Sequence, residues 1–343
     1  MDAFKRRVFD LQNTPVHESS QVGKYYRPLS STFHLPASES RDYHQVSTLH
    51  YPSKVMSIFS TIGIITKPFL PDTPRILNQV QQWIQEHGKT AIVDSASMDG
   101  PPCNTSPMRL RIEAEADLLI VLGGDGTMLS GARLVERRSI PILGVNMGGL
   151  GFLTETTFEA LPKALHKIFS GDFQLDTRLM LQVELHRQGK TVEAYSALND
   201  IVISKGHLAR MIATKVWIDQ TFMTNLRGDG LIVATPTGST AYSLSAGGPI
   251  LDPRLEVLLI NPICPHTLSH RPFLASSQAP ISVELTSPEG AMATIDGQIG
   301  TEMMKEDLVK IQASPHRTQL IRFPDRNYFE VLRSKLKWGD GNP

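Results

Sequence analysis

Residues 116–127 read Ala-Asp-Leu-Leu-Ile-Val-Leu-Gly-Gly-Asp-Gly-Thr, and this stretch decides the fold class. The near-continuous apolar run Asp117–Leu122 predicts a buried strand of the parallel type. The two glycines then predict a sharp turn, and Met128–Arg137 predicts a helix after it. A strand, a glycine turn and a helix in this order place Asp125 at the carboxyl end of a parallel strand, where open α/β sheets bind their ligands.

The Gly-Gly-Asp-Gly-Thr turn has two interpretations. The amides of a glycine turn and of a helix N-terminus bind phosphate, and a carboxylate among them is better placed to accept a proton or to hold a metal. The alternative is that Asp125 only organises a tight turn through its own backbone hydrogen bonds. The turn matches neither the dinucleotide fingerprint G-x-G-x-x-G nor the G-K-[ST] of a P-loop.

The sequence on both sides of this stretch continues the alternation of strands and helices. Strands are predicted at Ser57–Thr66, Thr90–Val93 and Ile140–Val145, a helix at Thr73–His87, and a loop at Pro101–Pro107. Strands that alternate with helices predict an α/β domain built on a doubly wound, mostly parallel sheet.

The pattern changes near residue 158. Phe158–Ser170 predicts one amphipathic helix, and short runs of β character follow it. Separated by turn residues, these runs predict an all-β, sandwich-like second domain. The runs are Leu179–His186, Ile201–Ser204, Ala213–Ile218, Leu231–Thr235, Val257–Ile260, Ile281–Leu285, Leu308–Gln312 and Gln319–Arg322.

Asn327–Leu336 predicts a C-terminal helix that packs back on the first domain. Asn327 and Glu330 form a capping pair, and Phe329, Leu332 and Leu336 line one face. The predicted order of segments is a disordered leader at 1–53, the α/β domain at 54–157, a linking helix at 158–178, the all-β domain at 179–322, and the C-terminal helix and tail at 323–343.

The leader has a composition unlike the rest of the chain. It is rich in Ser, His, Tyr, Arg and Pro and has no helical or strand periodicity, which is typical of disorder. It lacks the apolar run of a secretory signal, and its acidic residues argue against a mitochondrial presequence. Because Met56 opens a natural first strand, we interpret the residues before it as dispensable, or as an artefact of the choice of start site.

Composition excludes several classes of function. The 343 residues contain 34 Lys and Arg against 34 Asp and Glu, so a general affinity for nucleic acid or an anionic membrane has no support. No apolar run approaches the ~20 residues of a membrane span. Cys103 and Cys264 are far apart and match no metal or redox spacing, which indicates a reducing, cytoplasmic setting.

Residues 228–249, here called the hydroxyl-rich segment, carry five glycines and six Ser or Thr residues. A segment of small residues brings backbone amides and short hydroxyls close to a ligand, because glycine has no side chain to hold the ligand away. Many small donors together are suited to a phosphorylated, polyhydroxylated molecule such as a nucleotide.

Four motifs follow one another in an order that resembles the NAD kinase family. They are Gly-Gly-Asp-Gly-Thr at 123–127, Asn-x-Gly-x-x-Gly-Phe-Leu-Thr at 146–154, Asn-Asp at 199–200, and the hydroxyl-rich segment. The resemblance covers about Ile58 to Trp338, and its tail Pro-His-Thr-Leu-Ser-x-Arg-Pro resembles the bacterial form. The first motif alone is less specific, because related lipid kinases and phosphofructokinases carry similar turns.

The resemblance implies that the chain uses ATP to phosphorylate the 2′-hydroxyl of the adenosine ribose of NAD, giving NADP and so adjusting the NAD/NADP balance. It implies that Asp125 is the general base and that the all-β domain binds NAD. The other residues that it assigns to substrate or nucleotide binding are Gly126, Asn199, Asp200, Arg210, Arg227, Asp229, Thr240, Ala241, Tyr242, Ser243, Leu244, Ser245 and Gln298.

The resemblance also implies a divalent cation, Mg²⁺ bound with ATP, and a homodimer or homotetramer. We assign no protein ligand to the cation.

Two positions depart from the family pattern. Many members have Asn-Glu where this chain has Asn199-Asp200, so the carboxylate is one methylene shorter. Some members have an Arg five residues after the catalytic Asp, and this chain has Ser130. A phosphate contact by that Arg would have to come from elsewhere.

Two other functions stay open at this point. A lipid kinase of the diacylglycerol type shares the Gly-Gly-Asp-Gly turn, but it predicts an acyl pocket and no hydroxyl-rich segment. A non-catalytic NAD(H) or NADP(H) sensor on the same scaffold would have lost the base, whereas Asp125 is present. The sequence leaves open the range of phosphoryl donors, the acceptance of NADH and feedback by NADPH.

Overall fold

The computed structural model describes residues 59–67, 71–94, 106–149, 151–206 and 210–338. The predicted leader, the Met56 start and the first residues of the predicted first strand lie outside these ranges. Of the predicted loop at 101–107, only Ser106 and Pro107 are described, and the prediction was wrong for Pro107, which begins a helix at Pro107–Glu115 capped by Ser106.

Seventeen strands and six helices make up the described part of the chain. The strands are β1 Thr61–Thr66, β2 Thr90–Val93, β3 Leu118–Leu122, β4 Ile142–Asn146, β5 Thr156–Thr157, β6 Gln174–Arg187, β7 Lys190–Ala197, β8 Asp200–Lys205, β9 Ile212–Ile218, β10 Thr221–Gly228, β11 Gly230–Ala234, β12 Val257–Ile263, β13 Phe273–Ser276, β14 Ile281–Leu285, β15 Ala291–Ile295, β16 Ile299–Met303 and β17 Leu308–Arg322. The helices are α1 Thr73–Glu86, α2 Pro107–Glu115, α3 Asp125–Val135, α4 Leu161–Phe169, α5 Tyr242–Ser245 and α6 Tyr328–Leu336.

The first domain is the predicted doubly wound α/β sheet. Its strands lie in the order β2-β1-β3-β4 and pair in parallel. Alternate residues of β3 enter two cores: Leu118 and Ile120 pack with α1 and α4, and Leu119 and Val121 pack with α2 and α3. The connection after β1 leads to β2 on one side of the sheet, and the connection after β3 leads to β4 on the other side. The topological switch point therefore lies between the carboxyl ends of β1 and β3.

The second domain is the predicted β sandwich. One sheet has the order β13-β12-β11-β8-β15-β16, and the other runs β10-β9-β14-β17-β6-β7. Buried side chains of both sheets, among them Ile203 and Val233 from one and Val183 and Val283 from the other, form a single core. This core is separate from the two that cover the parallel sheet.

β17 joins the two domains and differs from the sequence prediction. The two predicted runs at 308–312 and 319–322 are one strand, interrupted by an irregularity between Ala313 and Arg317. Pro315 lies in this interval, where the hydrogen bonding between the strands is interrupted and a proline is tolerated. Near its end β17 pairs in parallel with β4 through Leu320, so one eleven-stranded sheet runs through both domains. The predicted domain boundaries therefore stay predictions.

The predicted linking helix is shorter than expected. α4 covers Leu161–Phe169, and its buried face enters the core of the first domain with Leu165 and Ile168. The last residues of the predicted linker already belong to β6, which begins at Gln174.

The C-terminal helix is present, and its predicted cap is confirmed. Asn327 accepts a hydrogen bond from the Glu330 amide at 3.0 Å and donates to the Glu330 carboxylate at 2.7 Å. Of the predicted apolar face Leu332 is buried and Phe329 is exposed. The segment before α6 contacts the first domain through Phe323, whereas the Tyr328 hydroxyl lies 3.5 Å from a carbonyl of the second domain. No helix in the described residues is long and apolar enough to cross a membrane.

Candidate active site

Asp125 is the first residue of α3, which begins directly after the turn that leaves β3. The helix was predicted from Met128, and it starts three residues earlier because Gly124 provides the N-cap and accepts the amides of Thr127 and Met128 at 3.0 and 3.1 Å. A Cβ on Gly123 would lie 2.3 Å from the Thr127 hydroxyl, so the turn requires glycine. Asp125 therefore lies at the carboxyl end of β3 and at the positive end of the helix dipole.

Two backbone amides hold the Asp125 carboxylate. The Phe152 amide donates to Oδ2 and the Leu153 amide donates to Oδ1, each at 3.0 Å. A Cβ on Gly151 would lie only 2.1 Å from Oδ1, so the loop approaches the carboxylate as closely as a glycine permits. The orientation of the carboxylate is thus set by the backbone of the 151–153 loop.

Asn146 and Thr154 hold this loop in shape. The Asn146 side chain accepts the Gly148 amide at 2.6 Å and donates to the Gly149 carbonyl at 2.5 Å. The Thr154 hydroxyl accepts the Gly151 amide at 2.9 Å. These contacts explain the Asn-x-Gly-x-x-Gly-Phe-Leu-Thr motif as a device that presents two amides to Asp125.

A hairpin of the second domain contacts the helix that carries Asp125. The Gln298 amide nitrogen donates to the Gly126 carbonyl at 2.6 Å, and Arg133 of α3 donates to the Gln298 oxygen at 2.5 Å. The same guanidinium pairs with Asp296 at 2.5 Å. The structure therefore brings the predicted residues Gly126 and Gln298 into direct contact across the two domains.

Asp296 connects this contact to the Asn199-Asp200 motif. Its buried carboxylate accepts the amides of Leu198, Asn199 and Asp200 at 3.2, 2.8 and 3.3 Å. Asp296 and Arg133 were not among the predicted site residues. The available signal was the Asp296-Gly297 pair, which takes positive φ angles of 51° and 64° in the turn between β15 and β16.

Asp200 and Asp296 form a buried acidic pair. Burial and the neighbouring charge of Asp296 raise the pKa of Asp200 to about 7. Burial also raises the pKa of Asp296, against the opposing effects of Arg133 and the three amides. Arg133 and the three amides stabilise the ionised form of Asp296, so we assign the proton of the pair to Asp200.

The hydroxyl-rich segment packs directly on Asn199. A Cβ on Gly238 would lie 2.2 Å from the Asn199 carbonyl oxygen, and the Thr235 amide donates to that oxygen at 2.8 Å. The Ser239 hydroxyl accepts the Leu251 amide at 2.9 Å. The Thr235 hydroxyl donates to the Leu198 carbonyl at 2.6 Å, so hydroxyls of the segment are used to hold its own backbone in place.

The predicted residues 240–245 divide into buried and exposed positions. Ser243 is fully buried, and its hydroxyl accepts a hydrogen bond from Asn261 at 3.1 Å. Tyr242 is 49% exposed, which leaves its ring available to a ligand. Ser245 is also exposed, and Thr240, Ala241 and Leu244 are partly buried.

Arg210, Arg227 and Asp229 lie apart from this group. In the described residues no hydrogen bond or ion pair joins them to Asp125. Arg210 pairs with Glu289 at 3.4 Å, and Asp229 pairs with Lys205 at 2.9 Å. Arg210 and Arg227 line a shared cavity of about 580 Å³. Contacts through Arg133 and Asp296 connect the predicted residues Gly126, Gln298, Asn199 and Asp200. Residues 240–245 follow the part of the hydroxyl-rich segment that packs on Asn199. Arg210, Arg227 and Asp229 take no part in these contacts.

Two expectations about charge can now be compared with the structure. Ser130, which replaces an arginine in some family members, accepts a hydrogen bond from Arg109 at 3.2 Å, but Arg109 is buried and paired with Asp94. No cluster of three or more His, Cys, Asp or Glu able to hold a metal occurs among the described residues.

Comparisons with known proteins show the family to which the chain belongs. Residues 62–173 match the family model of the ATP-NAD kinase N-terminal domain, and residues 198–323 match that of the C-terminal domain. The NAD kinase of Geotalea daltonii is 45% identical over 280 residues, which are 81% of this chain and 99% of that protein. The NAD kinase of Solibacter usitatus is 41% identical over 292 residues, 83% of this chain and all of that protein.

Solved structures show the same fold. A crystal structure of yeast NADH kinase complexed with NADH has a TM-score of 0.75 at 24% identity, covering 85% of this chain and 93% of that one. An NAD kinase from Archaeoglobus fulgidus in complex with ATP has a TM-score of 0.64 at 24% identity, covering 81% and 98%. With both domain models matched in order and relatives above 40% identity over four fifths of its length, the chain belongs to the ATP-NAD kinase family.

Proposed function

We propose that this chain transfers the terminal phosphoryl group of ATP to the 2′-hydroxyl of the adenosine ribose of NAD, with Asp125 as the general base. Kinase activity with ATP and NAD follows from membership of the family. The role of Asp125 and the assignment of the substrate contacts rest on the geometry of the site.

The observation that carries the proposal is the way in which the carboxylate of Asp125 is held. Each oxygen accepts one backbone amide at 3.0 Å, and a carboxylate has about four lone-pair positions. Both oxygens therefore retain capacity for a further hydrogen bond, such as one from a ribose hydroxyl. Because the two amides fix the rotamer, the base is oriented before the substrate arrives.

Phosphoryl transfer makes modest demands on such a base. The transition state is loose, so most of the catalysis comes from positioning and from neutralising charge on the transferred group. Asp125 orients the hydroxyl and receives its proton as the bond to phosphorus forms, and help of this kind is worth about 10²–10⁴-fold. Mg²⁺ bound to ATP supplies neutralising charge, and we assign no protein ligand to it.

The contacts across the two domains support different roles for the two domains. Asn199, Asp200 and the exposed Tyr242 bind the adenosine of NAD, while α3 presents the base. Gln298 and Asp296 connect the two, because they contact Gly126 on one side and the 198–200 backbone on the other. We further propose a cytoplasmic homodimer or homotetramer in which Arg210, Arg227 and Asp229 contact the ligand of a second subunit.

The variant Asp125→Asn tests the base. We expect it to bind NAD with an affinity near that of the wild type and to lose about 10²–10⁴-fold in kcat. Binding is measured by calorimetry, and NADP formation by a coupled NADP-specific dehydrogenase. The asparagine NH₂ group faces one of the two amide donors, so thermal melting is recorded to separate misplacement from unfolding.

Asp219→Asn is the matched control. Asp219 is exposed and has a φ of 48°, a conformation that asparagine adopts readily. We expect its kcat to be unchanged. A near-normal kcat in Asp125→Asn would remove Asp125 from the role of base, and absence of NADP from the wild type with MgATP would return the lipid-kinase and sensor alternatives.

A further inference from the structure

Two arginines near the C-terminus contact four consecutive carbonyls of the loop that orients Asp125. Arg322 donates to the carbonyls of residues 152 and 153 at 3.4 and 3.3 Å. Arg326 donates to the carbonyls of residues 154 and 155 at 2.8 and 2.9 Å. The hydrogen bonds of these four carbonyls therefore come from side chains that lie about 170 residues away in the sequence.

Glu155 anchors both arginines. Its side chain is 1% exposed, and one oxygen accepts Arg322 at 2.9 Å and Arg326 at 3.4 Å. The other oxygen accepts the Phe323 amide at 2.8 Å. A carboxylate this deeply buried requires such partners, since an uncompensated charge there is strongly destabilising.

One peptide group connects this network to the base. The peptide between Phe152 and Leu153 accepts Arg322 through its oxygen and donates to Asp125 through its N–H. Because a peptide unit is planar, a guanidinium that fixes the carbonyl also fixes the direction of the N–H. The planar guanidinium of Arg322 can donate to both carbonyls and to Glu155 at the same time, whereas the single ammonium of a lysine is less suited to this geometry.

The network also reaches the second domain. Arg322 donates through Nε to Asp176 at 3.2 Å, and Asp176 pairs with Arg178 at 2.5 Å. Arg178 in turn donates to the Thr237 hydroxyl of the hydroxyl-rich segment at 3.2 Å. The arginines are therefore connected both to the loop of the base and to the proposed adenosine site.

We infer that Arg322, Arg326 and Glu155 are positioning residues for phosphoryl transfer. They fix the 152–155 backbone so that its amides hold Asp125 in the orientation in which it accepts the hydroxyl proton. The inference rests on the proposed role of Asp125 as base.

The test uses the full-length chain and the variants Arg322→Lys, Arg326→Lys and Glu155→Gln. The concentration of NAD-binding sites is measured by calorimetry, and kcat is expressed per binding site so that unfolded protein does not count. We expect each variant to lower kcat about 10–100-fold while KM for NAD and for ATP stays within about threefold. The double variant Arg322→Lys/Glu155→Gln should be no worse than the poorer single variant.

Arg317→Lys is the matched control, because Arg317 lies on the same strand and pairs with the exposed Glu256 at 2.9 Å. We expect its kcat to equal that of the wild type. The inference is overturned if all three variants keep kcat per site within threefold of wild type, if their losses appear in KM, or if none binds NAD. A normal kcat in Asp125→Asn would instead count against the proposed function, so the two failures are distinguishable.

Discussion

A methyl group at residue 151 is expected to displace Asp125, the proposed base, without touching the proposed adenosine site. On the existing backbone, the Cβ of Gly151→Ala would lie 2.1 Å from Oδ1, 2.7 Å from Cγ and 2.9 Å from Oδ2 of Asp125. Ordinary contact begins near 3.4 Å, so the carboxylate or the loop must move by more than 1 Å. After such a movement the amides of Phe152 and Leu153 cannot both keep their hydrogen bonds.

The size of the effect follows from this displacement. A misplacement of about 1 Å in a reacting group costs on the order of 10²-fold, so we expect kcat to fall about 100-fold. KM for NAD should change less than about threefold, because Asn199 and Tyr242 belong to the other domain. Loss of one hydrogen bond to a charged group costs about 1.5–3 kcal/mol, so the melting temperature should also fall.

The assay is NADP formation with saturating MgATP and varied NAD, read through the coupled dehydrogenase. Gly149→Ala is the control, since a Cβ there meets no atom within 4 Å and the same loop receives the same methyl group. If Gly151→Ala keeps a kcat within about threefold of Gly149→Ala while remaining folded, the loop does not position Asp125 and the reasoning is wrong.

Four further outcomes are expected. Asp296→Asn should raise KM for NAD about tenfold in initial-rate measurements, because its ion pair with Arg133 and its hold on the 198–200 backbone are weakened. Burial and the charge of Asp296 raise the pKa of Asp200 from its ordinary value of 3.8 to about 7, so the stability that this group contributes is lost as pH rises from about 4 to about 7. The melting temperature of Asp200→Asn should therefore fall less than that of wild type between pH 5 and pH 8, and an equal fall would contradict the assigned pKa. Tyr242→Ala should raise KM for NAD more than it lowers kcat, and the opposite split would remove the tyrosine from the adenosine site. Asn327→Ala should cost about 1 kcal/mol of unfolding free energy in urea titration, because it removes the cap of α6.

The first domain could be predicted from sequence because its strands are buried on both faces. Leu118–Leu122 is completely buried, and such a run is readable without any alternation. Thr90–Val93 was predicted with its correct bounds, and the helix at 73–87 was predicted to within one residue. The start of α3 was missed because two glycines and an aspartate have low helix propensity, whereas the turn itself provides the cap.

Two of the strands that sequence analysis missed have little buried surface. β7 is exposed over its first five residues, and β10 alternates only weakly. Neither presents the apolar pattern on which a prediction depends. The union of the two sheets through β17 was not predictable either, because pairing between Leu320 and Ile142 is a contact between distant residues.

The site was predictable where a motif lies in one segment and not where it is assembled from several. Asp125 was found because strand, turn and helix are contiguous in sequence. Asp296 and Arg133 were missed because their importance lies in a contact between two domains. Ser243 was predicted to bind the substrate from its place in the motif, and only the structure shows its hydroxyl bonded to Asn261.

α3 explains why these scattered residues form one site. Gly126 and Arg133 are seven residues apart, which is nearly two full turns, so they lie on the same side of the helix and both contact the hairpin between β15 and β16. Asp125 is rotated from that side by about 100° and faces the 151–153 loop instead. Because one rigid helix makes both sets of contacts, the orientation of the base and its distance from the 198–200 backbone are fixed together. Any substitution that tilts α3 is therefore expected to change NAD binding and turnover together, whereas substitutions in the 151–155 loop change turnover alone.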